Sequence, residues 1–231
     1  MTDTSALEKP PALGILGGTF NPPHRGHLAL ARHAKAELGL ERVLLMPAGW
    51  APHKSSEQDP GPLHRLEMCR LAVAGVDGVE ECALEVERNG PSYTVDTLES
   101  LHAEHPDIEV TFILGADVAC TLPSWYEAFK LPRLAHFAVA GRVDSGAGEV
   151  LKALALWVRT FDERAVGQQP SGGPIGFLSM PVCDVSSSMV RERVAEGRPV
   201  GDLLEPAVAR YIAEHGLYGA LAAGECKAGA S

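Results

Sequence analysis

The 231-residue sequence is short of positive charge. It holds 20 lysine and arginine residues against 30 aspartate and glutamate residues, a formal net charge of −10. A protein that binds nucleic acid along the phosphate backbone needs a basic face, so this balance argues against a nucleic-acid partner. A small anionic ligand is still allowed, because it needs only a few local hydrogen-bond donors.

The sequence also lacks a long hydrophobic run. No segment reaches the ~18 apolar residues that a membrane span requires. The N-terminal segment MTDTSALEKPPALG has no basic region followed by an apolar one, so we see no signal peptide. These absences predict a cytoplasmic protein with no membrane partner.

Paired cysteines are missing as well. The chain has five scattered cysteines and no CxxC pair: Cys69, Cys82, Cys120, Cys183 and Cys226. An odd, unpaired set argues against a disulfide framework and against a zinc site, and it is typical of reduced thiols. We expect no metal site built from protein ligands.

Two common phosphate-binding patterns do not occur. There is no GxxxxGK[ST], so the chain has no P-loop, and there is no GxGxxG. An NAD-dependent oxidoreductase of the ordinary Rossmann type would need the second pattern and an acidic ribose partner. That class of enzyme is therefore disfavoured.

Short apolar runs alternate with helical patterns along the chain. The clearest runs are ALGILGGTF, RVLLMPAG, EVTFILGAD and HFAVAGR, and we interpret VEECALEVER as a further strand. Strands that alternate with helices predict an α/β fold, a Rossmann-like doubly wound parallel sheet. We expect one domain over residues 13–219, with a flexible lead at 1–12, a flexible loop at 164–174 and a disordered tail at 220–231.

The stretch GILGGTFNPPHRGH carries the chemistry. Gly17 and Gly18 end an apolar strand, where a backbone without side chains can approach a ligand closely. A helix should begin near Arg25, and its N-terminus favours an anion. His24 and His27 lie on one face of its first turn and can donate to phosphate oxygens. Surface histidines, a metal site and a turn residue are the alternatives, but the whole combination favours a phosphate site.

A second motif, VSSSMVRERV, lies about 160 residues further on. Its serines, from Ser186 to Ser188, can cap a helix, and Arg191 brings a planar cation to the same helix end. The serines alone would be an ordinary helix cap. The first motif, GGTFNPPHRGH, resembles the signature of the HxGH nucleotidylyltransferases, and this one resembles the second signature of that superfamily.

Three further stretches resemble the bacterial nicotinate-mononucleotide adenylyltransferases: PAGWAPHK, PSYTVDTL and FILGADVACTLPSWYEAFKL. The resemblance runs from about Leu13 to Tyr218. It implies transfer of the adenylyl group of ATP to nicotinate mononucleotide in NAD biosynthesis, with Mg²⁺ carried by ATP. Another transferase of the superfamily and a non-catalytic nucleotide sensor are the rival hypotheses, and the oligomeric state is left open, with a homo-oligomer allowed.

The resemblance also implies roles for individual residues. The catalytic residues would be His24, His27 and Arg191. The ATP site would comprise Gly17, Gly18, Thr19, Phe20, Gly115, Asp117, Arg142, Ser186 and Ser187. The nicotinate mononucleotide site would comprise Lys54, Arg65, Thr94, Trp125 and Tyr126. The sequence departs from the family pattern in small ways: Asn21 stands where many members have aspartate, and Pro23 and Ser188 replace the usual aliphatic residue and threonine.

Overall fold

Strands and helices alternate along the described part of the chain. The computed structural model describes residues 12–50, 58–141, 175–180 and 184–220, together with Lys152, Leu154 and Trp157. The strands are β1 (Ala12–Gly18), β2 (Arg42–Pro47), β3 (Val79–Glu81), β4 (Glu109–Gly115), β5 (His136–Ala140) and β6 (Ile175–Leu178). The helices are α1 (Arg25–Leu38), α2 (Pro62–Val73), α3 (Leu84–Glu87), α4 (Thr94–Glu104), α5 (Ala116–Ala119), α6 (Leu131–Leu134), α7 (Ser187–Ala195) and α8 (Pro206–Glu214).

The six strands form one parallel sheet in the order β3-β2-β1-β4-β5-β6. The chain builds outward from β1 in one direction through β3, then returns to the other side of β1 with β4. The strand order therefore reverses between β1 and β4, as in a doubly wound sheet. This confirms the predicted fold class.

Both faces of the sheet are covered, as a parallel sheet requires. Side chains of β1 alternate between two hydrophobic cores. Leu16 points into a core shared with α1, α2, α7 and α8. Leu13 and Ile15 point into a second core on the opposite face, which includes α4. The central strand is thus covered on both faces, so a ligand would meet it at a strand end.

The helix that carries the first motif has the predicted limits. α1 begins at Arg25 and is closed by Gly39, whose φ of 64° is left-handed. The single long strand predicted over VEECALEVER is wrong, because β3 stops at Glu81 and α3 follows. Tertiary packing accompanies this change, since the backbone carbonyl of Glu85 in α3 lies against Gly49, two residues after β2 ends.

Several predicted segments fall outside the described residues, namely the lead before residue 12, the loop at 164–174 and the tail after residue 220. Ala12, assigned to the lead, is the first residue of β1. None of the helices in the described ranges combines the length and apolar character needed to cross a membrane.

Candidate active site

The carboxyl ends of β1 and β4 lie side by side at the centre of the sheet. Ligands of open α/β sheets bind where the strand order reverses, beyond the carboxyl ends of the strands. Gly17 and Gly18 end β1, and Gly115 ends β4. The predicted glycines of both strands therefore border one crevice.

An aromatic ring fills the space beside the first of these glycines. A Cβ atom on Gly17 would stand 2.6 Å from the ring of Phe112, so a larger residue does not fit there. Trp125 meets the same Phe112 ring edge-on, with centroids 6.0 Å apart, and its indole N–H donates to the hydroxyl of Thr121 at 2.9 Å. The predicted pyridine-stacking residue Trp125 is thus connected to the end of β1 through a single ring.

Phe20 supports a catalytic candidate. Its side chain is buried, its φ is 50°, and its ring packs edge-on against the imidazole of His27 at 4.8 Å. A Cβ on Gly18 would approach the Phe20 ring to 3.3 Å. The structure therefore shows Phe20 holding His27, and its predicted contact with ATP stays a prediction.

The two histidines stack at the N-terminus of α1. Their ring centroids are 3.7 Å apart and the ring planes differ by 26°. The backbone N–H of His24 donates to Nδ1 of His27 at 3.2 Å. Because Nδ1 of His27 accepts, a neutral His27 carries its proton on Nε2, where it can donate to a ligand. Nδ1 of His24 is buried and has no hydrogen-bond partner within the described residues.

Burial sets the charge of this pair. It lowers the pKa of His24 to about 4. Burial, and then repulsion from His24, lower the pKa of His27 well below its usual value. Both imidazoles are therefore neutral at pH 7, so each can donate a hydrogen bond from a ring N–H without adding a positive charge to the site.

The second motif clamps the loop between β1 and α1. Nη1 of Arg191 donates to the carbonyl oxygen of Asn21 at 2.7 Å. The hydroxyl of Ser187 donates to the carbonyl oxygen of Pro22 at 2.8 Å. The structure thus brings together two motifs that lie more than 160 residues apart, and it places a guanidinium beside the N-terminus of α1.

Arg191 also borders an open groove. Its Nε donates to Oε1 of Gln58 at 3.0 Å, and its Nη2 donates to the hydroxyl of Ser188 at 3.2 Å. The groove has a volume of about 640 Å³, and Glu192 lies on its lining with these three residues. The hydroxyl of Ser186 caps α7 by accepting from the N–H of Met189. The ordinary helix-cap role therefore holds for Ser186.

The β4 side of the crevice carries one acidic residue. Asp117 lies in the first turn of α5, is exposed, and makes no hydrogen bond or ion pair with another described residue. A Cβ on Gly115 would stand 2.7 Å from Oδ1 of Asp117, so the glycine lets this carboxylate lie close to the end of β4. Two other predicted contacts, Arg142 and Lys54, lie outside the described residues.

A pair of tyrosines marks the predicted acceptor site. Thr94 is the first residue of α4, and Tyr93 immediately precedes it. The ring of Tyr93 stacks on Tyr126, with centroids 4.4 Å apart and planes 29° apart. Tyr93 was not among the predicted site residues. An aromatic residue at the start of a helix, beside a predicted ligand contact, is the signal that could have found it.

Arg65 was predicted to contact a substrate, but the structure shows it bonded to other parts of the protein. It is 2% exposed. Its guanidinium donates to the carbonyl oxygens of Thr19, Ala48 and Gly49 at 3.0, 2.6 and 3.0 Å and to Asp59 Oδ1 at 3.0 Å. Four of its five N–H groups are thus used inside the protein. The structure shows a residue that positions the ends of β1 and β2, and its geometry offers little to a phosphate.

The C-terminal end of the domain supplies one group that sequence reasoning missed. The hydroxyl of Tyr218 donates to Oδ1 of Asn21 at 2.7 Å. Asn21 therefore accepts from Tyr218 with its side chain and from Arg191 with its backbone. No local pattern announces this contact, because it joins residues from opposite ends of the domain.

The comparisons with known proteins agree with this geometry. The family model described as cytidylyltransferase-like matches residues 15–193, from the middle of β1 to α7. The chain therefore belongs to the cytidylyltransferase-like family.

Curated relatives narrow the family further. A probable nicotinate-nucleotide adenylyltransferase of Synechococcus sp. (strain JA-3-3Ab) is 41% identical over 207 residues, which cover 89% of this chain and 94% of the relative. Its counterpart from Roseiflexus sp. (strain RS-1) is 41% identical over 206 residues, covering 89% and 97%. At this identity and coverage, the chain groups with the nicotinate-nucleotide adenylyltransferases.

A solved structure supports the fold. Plasmodium falciparum nicotinic acid mononucleotide adenylyltransferase complexed with NaAD superposes with a TM-score of 0.70 and 20% identity, covering 90% of this chain and 97% of that one. The same Plasmodium enzyme complexed with APC superposes with a TM-score of 0.67. At such identity, the likeness speaks for the fold alone.

Proposed function

We propose that this chain transfers the adenylyl group of ATP to nicotinate mononucleotide, producing nicotinate adenine dinucleotide and pyrophosphate for NAD biosynthesis. The observation that carries the proposal is the pair of neutral imidazoles at the N-terminus of α1, with Arg191 held beside them on the carbonyl of Asn21. Donors without a general base suit a reaction between two phosphates. The curated relatives support the choice of acceptor.

The reaction needs little from the protein beyond orientation and charge stabilisation. A phosphate oxygen of the mononucleotide attacks the α-phosphorus of ATP, and the bond to the bridging oxygen breaks as pyrophosphate leaves. The attacking oxygen is already an anion, so no base has to remove a proton. His24 and His27 donate to phosphate oxygens as charge develops, and Arg191 stabilises the departing pyrophosphate.

We also propose that Mg²⁺ enters with ATP. Within the described residues, no three His, Cys, Asp or Glu side chains group closely enough to hold a metal ion. Phosphate oxygens and water would then supply most of the ligands, as Mg²⁺ commonly accepts. The ion would neutralise part of the charge on the phosphates.

We assign the acceptor ring to the start of α4 and to the aromatic residues Trp125 and Tyr126. Trp125 offers a flat face, and the backbone N–H groups of Thr94 and Tyr126 would donate to a ring carboxylate. The stacking of Tyr93 on Tyr126 brings these two segments together. Nicotinate needs donors only, whereas nicotinamide needs donors and an acceptor. We therefore favour nicotinate over nicotinamide mononucleotide.

The remaining proposals concern location and partners. With a net charge of −10, the chain suits small-molecule substrates and gives no basic face to a nucleic acid. We propose a cytoplasmic enzyme, since its substrates ATP and a mononucleotide are metabolites of that compartment. Gel filtration would distinguish a monomer from a homo-oligomer.

Pyrophosphate release tests the function. Wild-type protein is assayed with ATP and Mg²⁺ against nicotinate mononucleotide, nicotinamide mononucleotide and phosphopantetheine in parallel. We expect strong release with nicotinate mononucleotide, lost in His27→Ala and kept in His105→Ala, which removes an exposed histidine at the far end of α4. Release with another acceptor only would move the chain to a different transferase, and ATP binding without any release would indicate a nucleotide sensor.

A further inference from the structure

Two buried charged side chains play no part in the chemistry proposed above. Arg65 is 2% exposed and Glu85 is 8% exposed. A buried charge is costly unless hydrogen bonds compensate for its lost hydration. The partners of these two residues therefore indicate what the buried charges do.

A continuous chain of hydrogen bonds joins them. Nη1 of Arg65 donates to the carbonyl oxygen of Ala48 at 2.6 Å. The N–H of Gly49, which belongs to the same peptide group as that carbonyl, donates to the hydroxyl of Ser92 at 2.9 Å. The hydroxyl of Ser92 in turn bonds the carboxyl group of Glu85. We call this chain, from Arg65 through the peptide between Ala48 and Gly49 and through Ser92 to Glu85, the relay.

All donors of the relay point in one direction. The guanidinium donates to a carbonyl, the N–H of that peptide donates to a hydroxyl, and the hydroxyl donates to a carboxyl group. Each bond polarises the next when hydrogen bonds are aligned in this way, and the effect is stronger away from water. Thr97 adds a second donor to the Glu85 carboxyl at 2.9 Å, so a further hydrogen bond holds the Glu85 end of the relay.

The relay connects the two halves of the candidate active site. Arg65 also donates to the carbonyl oxygen of Thr19, in the loop that leads to the paired histidines. Ser92 comes just before Tyr93 and Thr94, where α4 begins and the acceptor ring is assigned. The N–H of Ser92 donates to the carbonyl oxygen of Trp50 at 2.9 Å, which pins the same strand end again.

The backbone is closely packed where Gly49 meets α3. A Cβ on Gly49 would stand 2.1 Å from the carbonyl oxygen of Glu85. That oxygen belongs to the backbone and cannot move aside as a side chain would. The backbone just after β2 therefore packs directly against α3 at the peptide group that belongs to the relay.

We infer that Ser92 and Glu85 are positioning residues, which act through the relay to set the spacing between the loop before α1 and the start of α4. This inference rests on the proposed function, because that spacing places the acceptor phosphate relative to the α-phosphorus of ATP. Neither residue touches a substrate. Each substrate can bind its own half without the relay, but the reaction needs both halves in register.

Ser92→Ala tests the relay at its middle, since it removes one hydroxyl and adds no bulk. We expect kcat to fall about tenfold, because a misplacement of ~1 Å between reacting groups costs up to ~10²-fold in rate. The Kd of ATP and that of nicotinate mononucleotide, each measured alone by calorimetry, should stay near the wild-type values. Ser92→Thr keeps a hydroxyl and should recover most of kcat.

Two comparisons separate positioning from general damage. Ser100→Ala removes a hydroxyl from the same helix, one that bonds Arg88 and the Asp96 carbonyl outside the relay, and it should leave kcat unchanged. Glu85→Gln keeps an acceptor for Ser92 but removes its charge, and it should lower kcat by less than Ser92→Ala does. The double variant of Ser92 and Glu85 should match Ser92→Ala alone, because both act through one path.

Amide exchange of Gly49, followed by NMR, reports on the relay without any turnover. Exchange should accelerate in Ser92→Ala and stay slow in Ser100→Ala. If exchange accelerates but the wild type turns over no acceptor, the proposed function fails while the relay stands. If the wild type uses nicotinate mononucleotide and Ser92→Ala keeps its kcat, or if the two substitutions are additive, the positioning role is overturned.

Discussion

The two halves of the candidate active site are built in different ways. On the nucleotide side, which comprises residues 17–27 and α7, the side chains of Ser187 and Arg191 donate to backbone carbonyl oxygens of the loop before α1. On the acceptor side, which comprises residues 48–50, α3, α4 and residues 121–126, aromatic rings and the relay hold one another. The first half is built mainly from hydrogen bonds that polar side chains make to the backbone, and the second mainly from packed aromatic rings.

This difference fits what each half is proposed to bind. A polyphosphate tail is flexible and anionic, so donors and a guanidinium at a helix N-terminus are sufficient to hold it. A pyridine ring is flat and largely apolar, so it needs faces at fixed separations. The nucleotide side should therefore depend on particular polar groups, and the acceptor side on the rigidity of its supports.

Arg65 joins the two halves, so its loss should have the largest effect. Arg65→Leu leaves Asp59 and three carbonyl oxygens without their buried donor. Removing one partner of such a buried pair should lower the free energy of unfolding by about 4 kcal/mol. Urea denaturation measures this loss.

Arg70→Leu provides the matched control. Arg70 lies on the same helix and pairs with Glu67 at the surface. An exposed pair of this kind contributes little, so its loss should be far smaller. Equal losses in the two variants would mean that the buried bonds of Arg65 do not hold the site together.

A pH series should sharpen the contrast between the halves. The pKa of His24 is about 4 in the folded protein, against ~6.5 in an unfolded chain. Below pH 6.5 the unfolded chain binds the proton more readily, so stability is lost as pH falls from about 6.5 towards 4. The full loss from this residue is about 3 kcal/mol. His24→Gln should remove it, which urea midpoints at several pH values would show.

Glu85 on the acceptor side should respond in the opposite sense. Burial raises the pKa of its carboxyl, although Thr97, Arg88 and Ser92 oppose that shift. The folded state then holds the proton more tightly, so stability falls as pH rises through the folded pKa. Glu85→Gln should remove that loss. In the His24 series, His105→Gln is the control, because His105 is exposed. If the plots of stability against pH for His24→Gln and the wild type run parallel, the prediction for His24 is wrong.

Arg191 should dominate turnover on the nucleotide side. Arg191→Ala removes the guanidinium beside the N-terminus of α1, and losing one such donor to a charged transition state lowers kcat/KM for ATP about a hundredfold. Arg193→Ala is the matched control, since Arg193 lies on the same helix and pairs with Asp202 instead. Steady-state kinetics would decide, and similar kinetics for both variants would remove Arg191 from the mechanism.

The nucleotide side was the part that sequence reasoning could reach. The β1–α1 motif is local: a strand end, two glycines and two histidines in the first turn of a helix follow from spacing alone. The parallel arrangement of the sheet followed from apolar runs that alternate with helical patterns along the sequence. The pairing of the two motifs was expected from the resemblance to the HxGH nucleotidylyltransferases. Arg191 was predicted to contact ATP, however, and its bond to the carbonyl oxygen of Asn21 was not predicted.

The acceptor side could not be predicted in the same way. Arg65 was expected to face a phosphate, since a sequence does not show whether an arginine meets a ligand or three backbone carbonyls. VEECALEVER alternates like a strand, yet its second half forms α3, which packs against Gly49. Such outcomes depend on which segments meet in space, and local patterns carry no record of that.

Substitution of Tyr218 should have the smallest effect, and it should affect the nucleotide side alone. Its hydroxyl donates to the side chain of Asn21, so it supports the nucleotide side from the end of the domain. Tyr218→Phe keeps the ring and removes that single bond, which should lower the free energy of unfolding by about 1 kcal/mol. The KM for ATP should rise while the KM for nicotinate mononucleotide stays the same, because the hydrogen bonds to Asn21 among the described residues come from Tyr218 and Arg191. Tyr211→Phe, which removes a hydroxyl bonded to His64, is the control that should leave both KM values unchanged. A rise in the KM for the acceptor instead would show that the two halves are not separately supported.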